Sequence, residues 1–520
     1  MFALMTGLVL AAGPAQAHAA LESSTPADDD VLEVAPTEVT LTFNESVDLV
    51  PESIQVFAPD GTRVEDGRAA HPGGTARVVR IGVACSQRGT YLVSWRVVSA
   101  DSHPLAGAFT FSVGATSKTV ARPPSKESRV LSWSLGGARW LGYLGSALLL
   151  GILVVLAWCW PTGSSTTLRR LVTGGAVLLV GGAMLELLLK GPYDAGLGFS
   201  ALGRIDLLHE VWQTTYGKAV VARLLLTGVG VLVVWRDRWV ISTWAVLIGT
   251  TFALAGHAAG GSLRLLAVVS ETAHAIAASI WLGGLLVVLV AIRRRDDEAL
   301  PTVRRFSRLA FAAVCALVIT GTFQSWRGVG WSWGALTGTT YGRELLVKTL
   351  LVAGVILLAS LSRSWVNRRV AGSASKCARP GSDLRRTVLG ETLGIIVVLA
   401  LTSGLTATEP ARTAYHPKTT AELVIEGDTV QVAAVPRGDR KIDLRLYVLD
   451  ASGEPTDPPE VAVSVSLGRI GPLPVRLDAV ATGKRRGRID VPVSGTWKLA
   501  VTVRTSDIDE STRTVDVPIR

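Results

Sequence analysis

The chain has 520 residues, 48% of them hydrophobic, and a formal charge of +10, with a mean hydropathy of +0.38. That apolarity excludes a single soluble globular domain. The basic excess does not call for nucleic acid, because Lys and Arg cluster in short loops between apolar runs, where the positive-inside rule accounts for them. Four cysteines without CxxC spacing exclude a disulfide framework or thiolate metal site, and Cys85 reads as a buried small apolar residue. Past residue 17 the only methionine is Met184, which excludes a thioether-rich site.

Residues 1–17 (MFALMTGLVLAAGPAQA) form an apolar stretch ending in Ala15-Gln16-Ala17, the small-x-small pattern of a signal peptide cleaved after Ala17. Met1 to Gly7 contains no Lys or Arg, so a start upstream of Met1 and an uncleaved anchor both stay open. Cleavage makes His18 the first residue, with a free α-amine and an imidazole that bind one ion together.

Residues 18–116 alternate in the manner of strands. Val39 to Phe43, Ser53 to Phe57, Val78 to Val83, Tyr91 to Val97 and Ala108 to Val113 are separated by Gly- and Pro-containing turns. The pattern predicts an exported all-β, Ig-like antiparallel sandwich or barrel. Near its end, Ser99-Ala100-Asp101-Ser102-His103-Pro104 places a carboxylate and an imidazole two residues apart. On extended backbone they share one face. With His18 they make the two-imidazole, amine and carboxylate set that suits tetragonal Cu(II), and an α-amine of reference pKa about 8 yields its proton to metal near neutral pH. The plainer reading is an unordered N-terminus and a surface Asp-x-His. His71, in His71-Pro72-Gly73-Gly74, reads as a turn residue. Residues 117–130 are polar and Pro-containing, a linker.

Residues 131–407 carry apolar runs near the ~20 residues that span a bilayer. Eight helices are expected, at about 134–160, 168–190, 217–235, 240–258, 266–293, 306–327, 344–362 and 387–407. With the first domain exported, the inner loops hold Arg169, Arg170, Arg236, Arg238, Arg293 to Arg295, Arg304, Arg305 and the basic stretch from Arg363 to Arg386. The outer loops hold far fewer basic residues, so both termini are expected outside the cytoplasmic membrane of a bacterium. His257 at the end of the fourth helix, with Glu271 and His274 on one face of the fifth, forms the candidate transport pathway, since ionisable groups in apolar spans mark pathways or cofactors. The plainer alternative is a satisfied interhelical hydrogen-bond network. Glu186 and His209 are weaker candidates. Thr214-Thr215-Tyr216-Gly217-Lys218 followed by Arg223 resembles Thr339-Thr340-Tyr341-Gly342-Arg343 followed by Lys348, offset by 125 positions. The offset reads either as a parallel duplication or as a recurring helix-entry signal whose basic residues anchor at the lipid boundary. Residues 417–520 return to strand alternation, a second exported β-sandwich; lacking His, Cys and Met, it offers no soft-metal site. His416, just before it, reads as solvated.

The sandwich opening on His18, with Ser-Ala-Asp-Ser-His-Pro-Leu-Ala-Gly near its end, resembles the CopC family of periplasmic copper-binding proteins. The helical part, with Gly256-His257-Ala258, His274-Ala275, Ser279 to Gly284, Phe306-Ser307-Arg308 and Thr320-Gly321, resembles the CopD copper-transport family. Together they resemble CopC–CopD fusions associated with copper uptake. The resemblance implies Cu(II) held by His18, Asp101 and His103 and a membrane step served by His257 and His274. Reduction of Cu(II) on the way, with Cu(I) in the membrane domain, is a separate expectation. The implied partners are copper, the lipid bilayer and a reductant or copper chaperone. No enzyme activity is expected. A haem-binding electron carrier, a membrane-anchored copper buffer or sensor, and a copper oxidase stand as alternatives.

Overall fold

The computed structural model describes the chain from Leu21 to Ile519 except residues 29, 100–103, 116, 118–128, 164, 234–236, 257, 259, 261–262, 295–298, 373–381, 416–418, 426, 437–440, 494 and 505–508. The N-terminal strands are β1 (Leu21–Thr25), β2 (Asp30–Leu32), β3 (Glu38–Phe43), β4 (Val47–Phe57), β5 (Glu65–Ala70), β6 (Val78–Val83), β7 (Gly89–Ser99) and β8 (Pro104–Val113). They form two four-stranded sheets, ordered β1-β3-β6-β5 and β2-β8-β7-β4. The period-2 pattern of β3 explains its register: Val39, Leu41 and Phe43 are fully buried while their neighbours are not. Burying each such side chain contributes about 1.5–3 kcal/mol. Tyr91 stacks on Phe111 at 5.2 Å, and its hydroxyl donates to Gln87 O at 2.7 Å, closing the β6–β7 turn. The short strands β1, β2 and β5 lack apolar alternation and were not legible as strands. Cys85 is half-buried rather than buried, and burial pushes its thiol up to about 11.

The helical part comprises α1 (Arg129–Cys159), which contains a π turn at Ala147–Gly151, α2 (Thr166–Asp194), α3 (Ile205–Gln213), α4 (Thr215–Val233), α5 (Arg238–Leu254), α6 (Arg264–Arg294), α7 (Ala299–Val329), α8 (Trp333–Gly338), α9 (Thr340–Gly372) and α10 (Ser382–Leu405). Helix occupies each of the eight expected stretches. Six of the helices are long and apolar enough to cross a membrane among the described residues, and α5 is a shorter apolar helix of 17 residues. The short helices α3 and α8 were not foreseen.

Close packing depends on small residues. A Cβ on Gly145 would lie 2.5 Å from Leu179 N of α2, and one on Gly151 would lie 1.8 Å from Ser279 O of α6. Those helices therefore meet backbone to backbone, as small residues allow in apolar surroundings. The sandwich rests on one end of this bundle. Arg96 of β7 donates through Nη2 to Tyr193 O at 3.1 Å and through Nε to Asp194 O, at the last turn of α2, adding to the Gly196 N–H that Tyr193 O already accepts at 3.1 Å and capping the carbonyl end of the helix.

The C-terminal strands run from β9 (Thr419–Ile425) to β17 (Glu510–Ile519), in a five-stranded sheet with its edge at β9 and a four-stranded sheet with its edge at β17. Trp497, Leu499, Val501 and Val503 are fully buried at alternate positions of one strand, and they anchor a separate core.

Candidate metal pathway

His18, Asp101, His103 and His257 lie outside the described residues, as does His416. Asp101 and His103 fall in sequence between β7 and β8. His71 is the turn residue expected: it precedes the 3₁₀ turn Pro72–Gly74, and its Nδ1 is 2.8 Å from Val78 O. Among the described residues no group of three or more His, Cys, Asp or Glu side chains converges on one point.

In the bundle, Glu271 and His274 share a face of α6, two to three turns from the sandwich end. His274 Nδ1 is 2.9 Å from Thr320 Oγ1 of α7. That hydroxyl also donates to Ala316 O at 2.6 Å, so Nδ1 supplies the proton to Thr320 and Nε2 is left with a lone pair. Gly321 leaves room for the ring, since a Cβ there would sit 3.5 Å from His274 Cε1. One turn before His274, Ser270 is 6% exposed. Its hydroxyl has no hydrogen-bond partner among the described residues, and neither does the amide nitrogen of Gln324, one turn beyond Thr320. Polar atoms in that condition are expensive to bury. The α6–α7 seam is therefore lined by more polar capacity than the protein itself satisfies, and a neutral imidazole with a free lone pair among hydroxyl and carboxylate oxygens can receive a metal cation.

Glu186 is placed differently. On α2, 2% exposed, it accepts from Tyr216 OH at 2.9 Å and from Arg223 Nη1 at 3.3 Å, both of α4. Arg223 also donates through Nε to Thr251 Oγ1 at 3.1 Å and lies over the Phe252 ring at 3.7 Å. Glu186 is thus locked in an ion pair rather than open to a pathway. One turn on, Lys190 and Asp194 form a second buried pair at 2.5 Å. His209 is an exposed residue of α3 whose ring meets Gln213 one turn along, and nothing brings it to Glu186. Its neighbour Glu210 is half-buried, and burial, then the nearby Asp206 charge, push its carboxyl up to about 7.

The sequence marks Thr320 only as part of the family pattern; its pairing with His274 was missed, as were Gln324 and the role of Arg223. The 125-residue offset was the available signal for the last. In both copies a threonine caps the entering helix: Thr214 and Thr339 each accept from the glycine N–H three residues on at 3.0 Å. Each also donates back to the preceding short helix at 2.7 Å. Both glycines are required by close approach, a Cβ meeting Val211 O at 2.0 Å or Leu336 O at 2.1 Å. Arg223, 1% exposed, is a core residue and not the lipid-boundary anchor of the simpler reading.

Comparison with known families gives three matches in chain order. Residues 21–114 match the CopC domain, residues 130–265 the N-terminal domain of copper resistance protein D-like proteins, and residues 300–405 copper resistance protein D. The chain belongs to the CopC–CopD fusions. The fusion is 24% identical over 525 residues to the copper transport protein CutJ of Bacillus subtilis (strain 168), covering 95% of this chain and 94% of that one, which takes in most of the C-terminal sandwich. Its N-terminal domain is 34% identical over 113 residues to copper resistance protein C of Pseudomonas syringae pv. tomato, covering 20% of the fusion and 87% of that protein. Among solved structures, the methionine-rich copper resistance protein PcoC of Escherichia coli is 31% identical, with 18% of the fusion and 98% of that chain covered and a TM-score of 0.16. The fusion is a multi-pass membrane protein homologous to copper transport and resistance proteins.

Proposed function

We propose that the fusion captures Cu(II) outside the cell at His18, Asp101 and His103 and passes copper inward through the bundle, past His257, Glu271 and His274. The observation that carries this reading is the order of the matches, a CopC domain joined to both parts of a CopD protein. The α6–α7 seam supports it, with an imidazole oriented by Thr320 and hydroxyl and amide groups unpaired beside it. Eight spans with residues 18–116 and 417–520 both outside agree with the basic residues gathered in alternate loops. One electron from a separate reductant converts Cu(II) to the Cu(I) carried in the membrane. Without a phosphate loop or phosphorylatable Asp-Lys-Thr-Gly segment in the sequence, the driving force is a gradient, the membrane potential or trapping inside.

The test is copper accumulation in cells whose only copy of the protein carries His274→Ala or Glu271→Gln. Uptake falling to the level of cells without the protein is expected for His274→Ala, and undiminished uptake in both variants overturns the import reading in favour of an anchored copper buffer. A Soret band in the purified protein would instead assign His274 to haem. For the outer site, N-terminal sequencing of the mature chain should begin at His18, and one residue added before it should weaken Cu(II) binding sharply.

A further inference from the structure

The two halves of the bundle carry a basic residue at the same place in the same construction. Seven residues beyond Tyr216 stands Arg223, and seven beyond Tyr341 stands Lys348. In the first half the position is closed: Arg223 is fixed by Glu186, Thr251 and the Phe252 ring. In the second half the depth of Lys348 follows from the packing of α7 and α9, which run in opposite directions. The Tyr341 hydroxyl packs on Gly328, where a Cβ would lie 2.4 Å from it. Seven residues along α9 from Tyr341 lead to Lys348, and seven back along α7 from Gly328 lead to Gly321, where a Cβ would lie 3.5 Å from His274 Cε1. Both paths rise roughly 10 Å, so Lys348 arrives at the level of the His274–Thr320 pair. There its charge is felt by both Glu271 and His274. Unlike Arg223, the Lys348 ammonium forms no ion pair within 4.0 Å among the described residues.

We propose that Lys348 is the charge gate of the Glu271–His274 site, its ammonium serving as the movable counter-ion of Glu271 that an entering univalent soft metal cation displaces. This inference rests on the import reading and adds a specificity-determining residue to it. The chemistry of the side chains favours it. A guanidinium held by several directed donors is a fixture, whereas an ammonium on a four-carbon stem is a point charge that can swing aside. A second cation beside an ammonium in apolar surroundings is heavily disfavoured, so the metal and the ammonium exclude one another. The gate thereby keeps Glu271 neutralised when no metal is present, without blocking the imidazole.

The experiment is a titration of the full chain in lipid nanodiscs with Ag(I), a redox-inert stand-in for Cu(I), in a His103→Ala background that disables the outer site. Lys348→Gln should bind Ag(I) at least tenfold more tightly than the parent, Lys348→Leu should show the same gain, and Lys348→Arg should show none. Adding His274→Ala to Lys348→Gln should abolish the gain. Affinity in Lys348→Gln and Lys348→Leu equal to or below the parent overturns the gate, even where the parent binds Ag(I) through His274. A parent whose binding is unaffected by His274→Ala overturns the import site itself, and the gate with it.

Discussion

The pair Glu186–Arg223 allows the energetics of the bundle to be tested. The two side chains are 2% and 1% exposed and approach to 3.3 Å, a separation worth about 5 kcal/mol of attraction at an effective dielectric near 20. Desolvation offsets much of that attraction while the pair is intact, but not when one partner is removed and the other charge remains buried. Each of Glu186→Leu and Arg223→Leu should therefore cost about 3–5 kcal/mol. Glu186→Leu should cost somewhat more than the ion pair alone implies, because the Tyr216 hydroxyl also loses its acceptor, an effect of about 1 kcal/mol. The double variant Glu186→Leu/Arg223→Leu should lose less than either single one, since neither member of the pair is then left buried without the other. Reversible unfolding in mixed micelles by added dodecyl sulfate, read by tryptophan fluorescence, gives the three free energies of a double-mutant cycle. Single costs that simply add in the double variant would refute the reasoning and show that the two groups do not depend on one another.

Glu210 predicts a pH effect. Its carboxyl is raised from 4.5 to about 7 in the folded protein, so the folded state binds the more protons between those values. Its contribution to stability is full below about pH 4.5 and is lost as pH rises through about 7. Glu210→Gln should flatten that part of the stability profile and make the variant more stable than the parent at about pH 8; a profile unchanged from the parent would contradict this. In the bundle, Gly283→Ala should be severely destabilising, because its Cβ would lie 2.4 Å from Gly151 C and 2.5 Å from Ile152 N. Gly136→Ala, with nothing within 4 Å of the added carbon, should be neutral or stabilise by up to about 1 kcal/mol through helix propensity. Thermal unfolding of both variants checks the pair, and equal tolerance of the two would refute the close contact of α1 with α6.

Much of the fold was legible because burial imposes a period on sequence. Val39, Leu41 and Phe43 announce a strand with one wet face, and the apolar runs of α1, α2 and α6 leave little choice but helix. The short helices α3 and α8 escaped because nine and six residues carry too little pattern, and because their function is positional: they deliver Thr214 and Thr339 to the next helix as caps. Glu271 and His274 could be picked out on α6 since charge is rare there, but their helix partners could not. Thr320 and Gln324 are ordinary polar residues until α7 is laid against α6. Glu186 looked equally conspicuous in the sequence, and only the approach of Arg223 from α4 marks it as a locked pair. What remained illegible in each case was a contact between helices distant in sequence, which no local period records.

The π turn at Ala147–Gly151 has a consequence for how this protein can vary. Such a turn takes up about one residue more than an α turn, so everything after it lags by roughly 100° behind the azimuth that an unbroken α-helix of the same residue count would give. Before it, Gly142 and Gly145 face α2; at its end and just beyond, Gly151 and Ile152 face α6. Loss of one residue within the turn, with the turn closing to α geometry, would leave the facing of the distal half toward α6 almost unchanged, whereas loss of one residue beyond the turn would rotate the remainder of the rod. The turn is thus the one place in α1 where residue count can change by one without disturbing the contact with α6, and homologues one residue shorter here should carry an unbroken α-helix.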